Sequence, residues 1–268
     1  MIRVEITKLF RRPRTWLAIG MLVALPVVVA IFVSVTGIAP RPGTGPAFLA
    51  DVLRNGTLFP AAALAVVLPI FLPASVAVMA GDSVAGEASA GTLRYLLVRP
   101  VGRTRLLVAK LVAIIAFIAV AVVAVAAVGY VVGRFAFGHA PLPSLSGGAP
   151  LSATAIAARI ALSIGYIGLS MIGVAAIALF FSTLTDSGLA AALGAIAVLI
   201  ASSVLIALDA TSSVQPYLLT RYWLAFVDLF RAPILWHDVI RGVGVQVVYT
   251  VVALGAAWAN FATKDITS

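Results

Sequence analysis

The chain has 268 residues, of which 63% are hydrophobic and only 10% are charged. Because a water-soluble domain carries about 25% charged residues, this composition excludes an ordinary soluble fold, and the mean hydropathy of +1.16 fits a chain whose solvent is lipid. The net charge of +9 is typical of Lys and Arg beside membrane spans rather than of a nucleic-acid partner, and the absence of cysteine excludes disulfides and thiolate metal sites.

The first 15 residues are basic and amphipathic. Ile2, Ile6, Leu9 and Phe10 recur at helical spacing, which predicts an interfacial helix on the membrane surface. The RRPR run that follows would also suit a secretory signal. However, the next apolar run exceeds the usual core of about 7–15 residues, and no A-x-A site precedes Pro40. We therefore expect the first span to be an uncleaved anchor.

Long apolar runs make up most of the remaining chain. They are continuous, and each is close to the roughly 20 residues that a helix needs to cross a bilayer, without the alternation of a barrel strand. In chain order, the predicted spans lie at about residues 16–35, 59–80, 106–132, 156–181, 189–208 and 239–261. We expect an all-α integral membrane fold with six transmembrane helices, in a single domain over residues 1–268.

The second predicted span and the polar stretch after it have distinctive local features. Two prolines, Pro69 and Pro73, predict a kink in that span because each removes a backbone donor. Gly81 is suited to end the span as a C-cap. Asp82 or Ser83 can then cap a new cytoplasmic helix.

The new helix would place Glu87 and Arg94 on one face, because they are seven residues apart. Two interpretations remain open. The helix is either a simple amphipathic connector between spans, or a docking helix that presents Glu87 and Arg94 to a cytoplasmic partner.

Residues 209–238, between the fifth and sixth spans, mix aromatic, polar and charged residues. This composition predicts an interfacial or partly re-entrant helical pair.

The distribution of Lys and Arg predicts the orientation. Most of the 18 basic residues fall on the side of the amino terminus, in clusters beside spans. Both termini are therefore expected in the cytoplasm. The predicted interfacial basic anchors are Lys8, Arg11, Arg12, Arg14, Arg103 and Arg105.

Several kinds of chemistry are missing from the sequence. No Lys is followed by Ser or Thr, as a P-loop requires, so ATP binding of that type is excluded. No ionisable residue is predicted near the middle of a span, which disfavours gradient coupling. His139 and His237 are isolated, and no nucleophile accompanies His237, Asp228 and Asp238, so we predict neither a metal site nor a catalytic site.

The central stretch GDSVAGEASAGTLRYLLVRPVGRTRLLVAK resembles the membrane-spanning permeases of type-2 ABC exporters. The opening EITKLFRRPRTW and the closing F-x-x-K-D support this resemblance, which covers essentially the whole chain. One departure is ASA at residues 88–90, where many relatives carry charged residues. The positions that carry the resemblance in the central stretch are Asp82, Gly86, Glu87, Gly91, Thr92, Leu93, Pro100, Arg103 and Lys110.

The resemblance implies a permease that works as a dimer, with a second copy or a sister permease, in the bacterial cytoplasmic membrane. Export would be driven by separate P-loop ATPase subunits, which would hold the ATP and Mg²⁺, so no cofactor is expected on this chain. The resemblance places an ATPase-coupling helix after the second span. Its residues would be Asp82, Gly86, Glu87, Gly91, Thr92, Leu93 and Arg94.

Other functions remain as alternatives. A gradient-driven carrier or channel would work without an ATPase. An ABC-type membrane component or a scaffold would instead engage an extracytoplasmic partner, with residues 209–238 as the contact surface. A membrane-embedded enzyme is disfavoured because no convergent polar site is evident.

Overall fold

The computed structural model describes residues 1–36, 56–89, 102–137 and 152–263, with Asp209 described by its backbone alone. Every regular element in these ranges is helical, so the all-α prediction is confirmed for this part of the chain. Short 3-10 segments lie at Gly56–Leu58, Asp209–Thr211, Gln215–Tyr217 and Trp223–Phe230. The α-helices are α1 (Ile2–Arg11), α2 (Pro13–Thr36), α3 (Phe59–Val67), α4 (Phe71–Ser89), α5 (Arg103–Ala136), α6 (Ala153–Leu184), α7 (Gly188–Ala207) and α8 (Trp236–Thr263).

Five of these helices, α2, α5, α6, α7 and α8, are long and apolar enough to cross a membrane. The segment Gly56–Val67 and α4 form a further pair that bends by 56° and makes a sixth span if it is counted as one. The described residues therefore contain five or six candidate spans. With 34 residues, α5 is longer than the roughly 20 residues that a bilayer crossing requires, and it extends beyond the predicted span at both ends.

The predicted end of the second span at Gly81 is wrong. The helix breaks after Val67, next to Pro69, as the predicted kink requires. It resumes at Phe71 and then continues through Gly81 to Ser89, so Asp82 and Ser83 lie inside a helix and do not cap a new one.

Helix packing explains why Gly81 does not end the helix. A Cβ atom at this position would lie only 2.7 Å from the backbone nitrogen of Ala192 on α7. The glycine lets two helix backbones approach closely, which is a common use of small residues between membrane helices.

The core of the bundle is formed around α6. In its most apolar stretch 61% of the residues are buried, against 44% in α5 and 22% in both α2 and α8. The helices α2, α7 and α8 therefore lie at the periphery, with wide apolar faces left for lipid.

Contacts between helix ends define two ends of the bundle. Arg103 at the beginning of α5 donates to the carbonyl of Ala262 near the end of α8, at 2.8 Å. Asn260 on α8 donates to the carbonyl of Thr183 near the end of α6, at 2.9 Å. We call this the basic end. It also holds α1 and the end of α4, so the amino-terminal helix and the end of α8 lie on the same side.

The opposite end is closed by residues 209–235, which we call the cap. The predicted helical pair is not found there. The cap consists of short 3-10 segments and turns, and its apolar side chains Phe226 and Phe230 are fully buried. Proline at the start of Gln215–Tyr217 and the burial of these aromatic rings favour a compact folded segment over two regular helices.

Candidate functional site

The most concentrated charged site in the described residues lies at the basic end, where α1, the beginning of α2, α4 and α5 meet. Its side chains form two neighbouring groups of ion pairs. We call this set the ion cluster. It consists of Glu5, Lys8, Arg12, Arg14, Asp82, Glu87 and Lys110.

The buried centre of the ion cluster is the pair of Glu87 on α4 and Lys110 on α5. Glu87 is 3% exposed and Lys110 is 2% exposed. The carboxylate Oε2 of Glu87 lies 2.7 Å from Nζ of Lys110. Lys110 also donates to the carbonyl of Ser83 at 2.6 Å, so the ammonium group binds both the side chain and the backbone of α4.

Helix α1 is attached to this buried pair by two of its own side chains. Lys8 forms an ion pair with Oε1 of Glu87. Glu5, one turn earlier on α1, lies 3.4 Å from Nζ of Lys110. Residues three apart share a helix face, so α1 presents one anion and one cation to the two buried partners of opposite charge.

The second group of the ion cluster centres on Asp82. Its Oδ2 atom accepts from Arg12 at 3.1 Å and also from Arg14. Gly86 and Gly188 both lie against this carboxylate, and a Cβ atom at either position would collide with it. Because these two positions are glycine, the Asp82 side chain has room to contact the arginines at the beginning of α2.

The backbone of α4 is also held from α6, by Ser182. Its hydroxyl donates to the carbonyl of Gly81 at 2.6 Å, and it accepts from the N–H groups of Val84 and Ala85 at 3.1 and 2.9 Å. One buried hydroxyl thus contacts three backbone groups of α4 in the turn that carries Asp82.

Replacing Ser182 with Ala is expected to lower the free energy of unfolding by about 1–3 kcal/mol, because a buried hydroxyl with three backbone partners is removed. Unfolding by SDS in mixed micelles is the measurement. Ser75→Ala is the matched control, since among the described residues Ser75 bonds to the carbonyl of Phe71 on its own helix and not to another helix. Equal stability of the two variants would contradict a role for Ser182 in joining α4 to α6.

The predicted coupling residues separate into two groups. Asp82, Gly86 and Glu87 lie on α4 within or beside the ion cluster. The other predicted coupling residues and one further position of the resemblance fall outside the described residues. These are Gly91, Thr92, Leu93, Arg94 and Pro100.

The docking hypothesis needs the Glu87 carboxylate at a surface, and the structure instead buries it between two lysines. The burial of Glu87 therefore does not fit the docking interpretation, one of the two that the sequence leaves open, in which its carboxylate faces a cytoplasmic partner. Desolvating a carboxylate is costly unless it is paired, so the side chain turns toward the cations of α1 and α5.

Most of the predicted basic anchors make specific contacts. Lys8, Arg12 and Arg14 belong to the ion cluster, and Arg103 donates to carbonyls at the end of α8. Arg11 and Arg105 are exposed, as expected of interfacial residues.

The buried role of Lys110 was missed from the sequence, which predicts only another basic residue at the interface. Nothing in local spacing pairs it with Glu87, because the two residues belong to different helices. The signal in the sequence that could have indicated a buried ion pair is the anion and cation, Glu5 and Lys8, on a single face of α1.

The histidine and acidic residues that the sequence groups near the start of α8 lie at the opposite end of the bundle. The Asp228 carboxylate pairs with Nε of Arg231 at 2.8 Å, whereas His237 is exposed. No group of three possible metal ligands occurs among the described residues, and His139 lies outside them.

Comparison with known proteins places the chain in a family without assigning it an activity. None of the curated proteins matches it. A family model matches residues 27–267, which cover the bundle from the middle of α2 to beyond the end of α8. The chain therefore belongs to the family described as "Protein of unknown function (DUF2705)".

Proposed function

We propose that this chain is the permease subunit of an ATP-driven exporter that resembles the type-2 ABC exporters. It would act as a dimer in the bacterial cytoplasmic membrane, with both termini in the cytoplasm and with separate P-loop ATPase subunits. The single observation that best supports this function is the ion cluster, because it attaches a basic surface helix to the ends of two membrane helices.

The ion cluster supplies a mechanical connection between the membrane surface and the bundle. Helix α1 is bonded through Lys8 and Glu5 to the buried Glu87–Lys110 pair, and α4 is bonded through Ser182 to the central helix α6. A displacement of α1, or of the chain after Ser89, would therefore be transmitted to the core. Two arrangements of such a packed connection, biased by ATP on another protein, are what an energised permease requires.

The orientation rests on the positive-inside rule. The basic end holds Arg3, Lys8, Arg11, Arg12 and Arg14 within one short segment beside a span, which is where that rule acts. The sequence also lacks a P-loop lysine, so the energy for transport must come from a partner or from a gradient.

Glu87 takes a different role in this proposal from the one that the resemblance suggested. As a buried link it transmits motion inside the chain, and in this proposal the ATPase contact falls to residues after Ser89. Reversing the charge of Glu87 would disturb the fold itself, so it is a poor test of coupling.

The partner is tested by purifying the tagged protein from its native host in several mild detergents, followed by mass spectrometry. We expect a P-loop ATPase in near-stoichiometric amount. If none is found and the purified chain alone moves substrate across liposomes, the gradient-driven alternative replaces this proposal.

Coupling is tested with the double variant Arg12→Gln/Arg14→Gln. These two side chains and Asp82 are all partly exposed, so their ion pairs contribute only about 0–1 kcal/mol of stability. The variant should fold and insert normally, yet lose most of the stimulation of the partner's ATPase activity.

The control for coupling is Arg3→Gln/Arg11→Gln, which removes the same charge from exposed positions of α1. It should keep wild-type stimulation. If both double variants behave alike, the connection through Asp82 has no part in coupling.

A further inference from the structure

A polar cavity of about 370 Å³ lies at the opposite end of the bundle, between the cap and the first turns of α8. It is within the volume range of small-molecule sites, about 300–1,000 Å³. Arg221 and Asp228 line it from the cap, and Asp238 and Arg241 line it from α8. None of these four residues has a part in the proposed exporter mechanism.

The cap side of the cavity is held firmly to the bundle. The buried hydroxyl of Tyr166 on α6 donates to the carbonyl of Tyr222 at 2.7 Å. Gln246 on α8 donates to the carbonyl of Leu219 at 2.8 Å. These two bonds fix the backbone on either side of Arg221, so the cap wall of the cavity is anchored to the bundle.

The wall of the cavity that α8 forms also has a fixed position. Asp238 and Arg241 are three residues apart and share a helix face. Gly242, the next residue, is buried against the Tyr166 ring, and a Cβ atom there would collide with the tyrosine hydroxyl. The close approach of α6 and α8 at Gly242 sets the distance between this charged face and the cap.

The charges in the cavity are only partly neutralised by the protein. Asp228 already pairs with Arg231 at 2.8 Å. In the described ranges, no ion pair includes Arg221, Asp238 or Arg241. Two guanidinium groups and one carboxylate therefore remain for a ligand, which favours a molecule that carries both an anionic and a cationic group.

We propose that this cavity binds a phosphoethanolamine group, with the phosphate on Arg221 and Arg241 and the ammonium on Asp238. A guanidinium matches the oxygens of a phosphate in a bidentate geometry, and a carboxylate accepts the N–H donors of an ammonium.

The position of the cavity along the bundle also fits a phospholipid headgroup. It lies where the apolar helices end, and the nearby Trp236 and Tyr217 are 48% and 71% exposed. Aromatic side chains of this kind are enriched at the level of lipid headgroups.

The test uses native mass spectrometry of the delipidated full-length protein, to which defined lipids are added. The wild type should bind phosphatidylethanolamine at least about tenfold more tightly than phosphatidylglycerol, which has the phosphate but no ammonium; tenfold corresponds to about 1.4 kcal/mol. Arg221→Gln/Arg241→Gln should weaken binding of both lipids by about tenfold or more. Asp238→Asn should remove the preference for phosphatidylethanolamine and leave phosphatidylglycerol binding unchanged.

Arg134→Gln is the matched control, because Arg134 is an exposed arginine near the end of α5, outside the residues that line this cavity.

Soluble glycerophosphoethanolamine separates the two sources of the headgroup. If this compound displaces the lipid at equal concentration, the cavity binds the headgroup without the acyl chains. If it does not, the acyl chains also contribute to the affinity for the lipid. Equal binding of the two lipids, or equal effects of Arg134→Gln and Arg221→Gln/Arg241→Gln, would overturn the proposal. No ATPase is needed, so the result is independent of the exporter proposal.

Discussion

Replacing Lys110 with Met is expected to lower the free energy of unfolding by about 3 kcal/mol. Breaking a buried ion pair by removing one partner costs about 3–5 kcal/mol, because the remaining charge stays buried. The lower end applies here since Glu87 keeps Lys8 as a second partner. The measurement is SDS-induced unfolding in mixed micelles, followed by the fluorescence of the native tryptophans.

Two further variants identify the cause of that loss. Lys110→Met/Glu87→Gln should be more stable than Lys110→Met alone, because the buried carboxylate, which keeps only the partly exposed Lys8 as an ion-pair partner, is gone. Arg105→Met removes an exposed cation from the same helix and should change stability by no more than about 0.5 kcal/mol. If Lys110→Met is as stable as the wild type, the pair contributes nothing and the ion cluster does not hold α4 against α5.

Replacing Gly81 with Leu should destabilise the bundle by at least about 2 kcal/mol. The three atoms nearest to a Cβ at this position are backbone atoms of α7, at 2.7 to 3.2 Å, so no change of side-chain rotamer relieves the clash. Helices α4 and α7 must separate, and overpacking of this kind costs about 1–3 kcal/mol or more. The same unfolding assay provides the measurement.

Gly20→Leu is the matched control for helix separation. A Cβ at Gly20 on α2 meets no atom within 4 Å, so the leucine extends toward lipid. Leucine is also a better helix former than glycine, by up to about 1 kcal/mol. We expect no loss of stability from this change. A similar loss in both variants would mean that leucine at any membrane glycine is harmful, whatever the helix contact.

Helix positions were largely predictable, since they depend on local patterns. Apolar runs predicted α2, α7 and α8 to within a few residues, and the basic amphipathic start predicted a helix that lies at Ile2–Arg11. Pro69 predicted the bend in the second predicted span, because a proline disrupts a helix through its own missing N–H and does not depend on the rest of the fold.

The site was only partly predictable. Asp82, Gly86 and Glu87 were recognised as unusual by their polarity and by the family resemblance, but their roles were not. Gly81 illustrates the reason: a glycine after an apolar run predicts a helix end, yet here its missing side chain is used by a neighbouring helix. Local sequence cannot distinguish these two uses of glycine.

By itself, the sequence determined that this protein is helical, that it carries about six apolar segments, that its basic residues gather beside one end of the spans, and that it has no P-loop. These properties follow from composition, periodicity and motif, which are local. Only the tertiary structure decided that Glu87 and Lys110 are buried together, that α1 is bonded to them, and that Arg221 and Arg241 line one cavity. Each of those contacts joins residues from separate elements, so it depends on how the helices pack and not on any one segment.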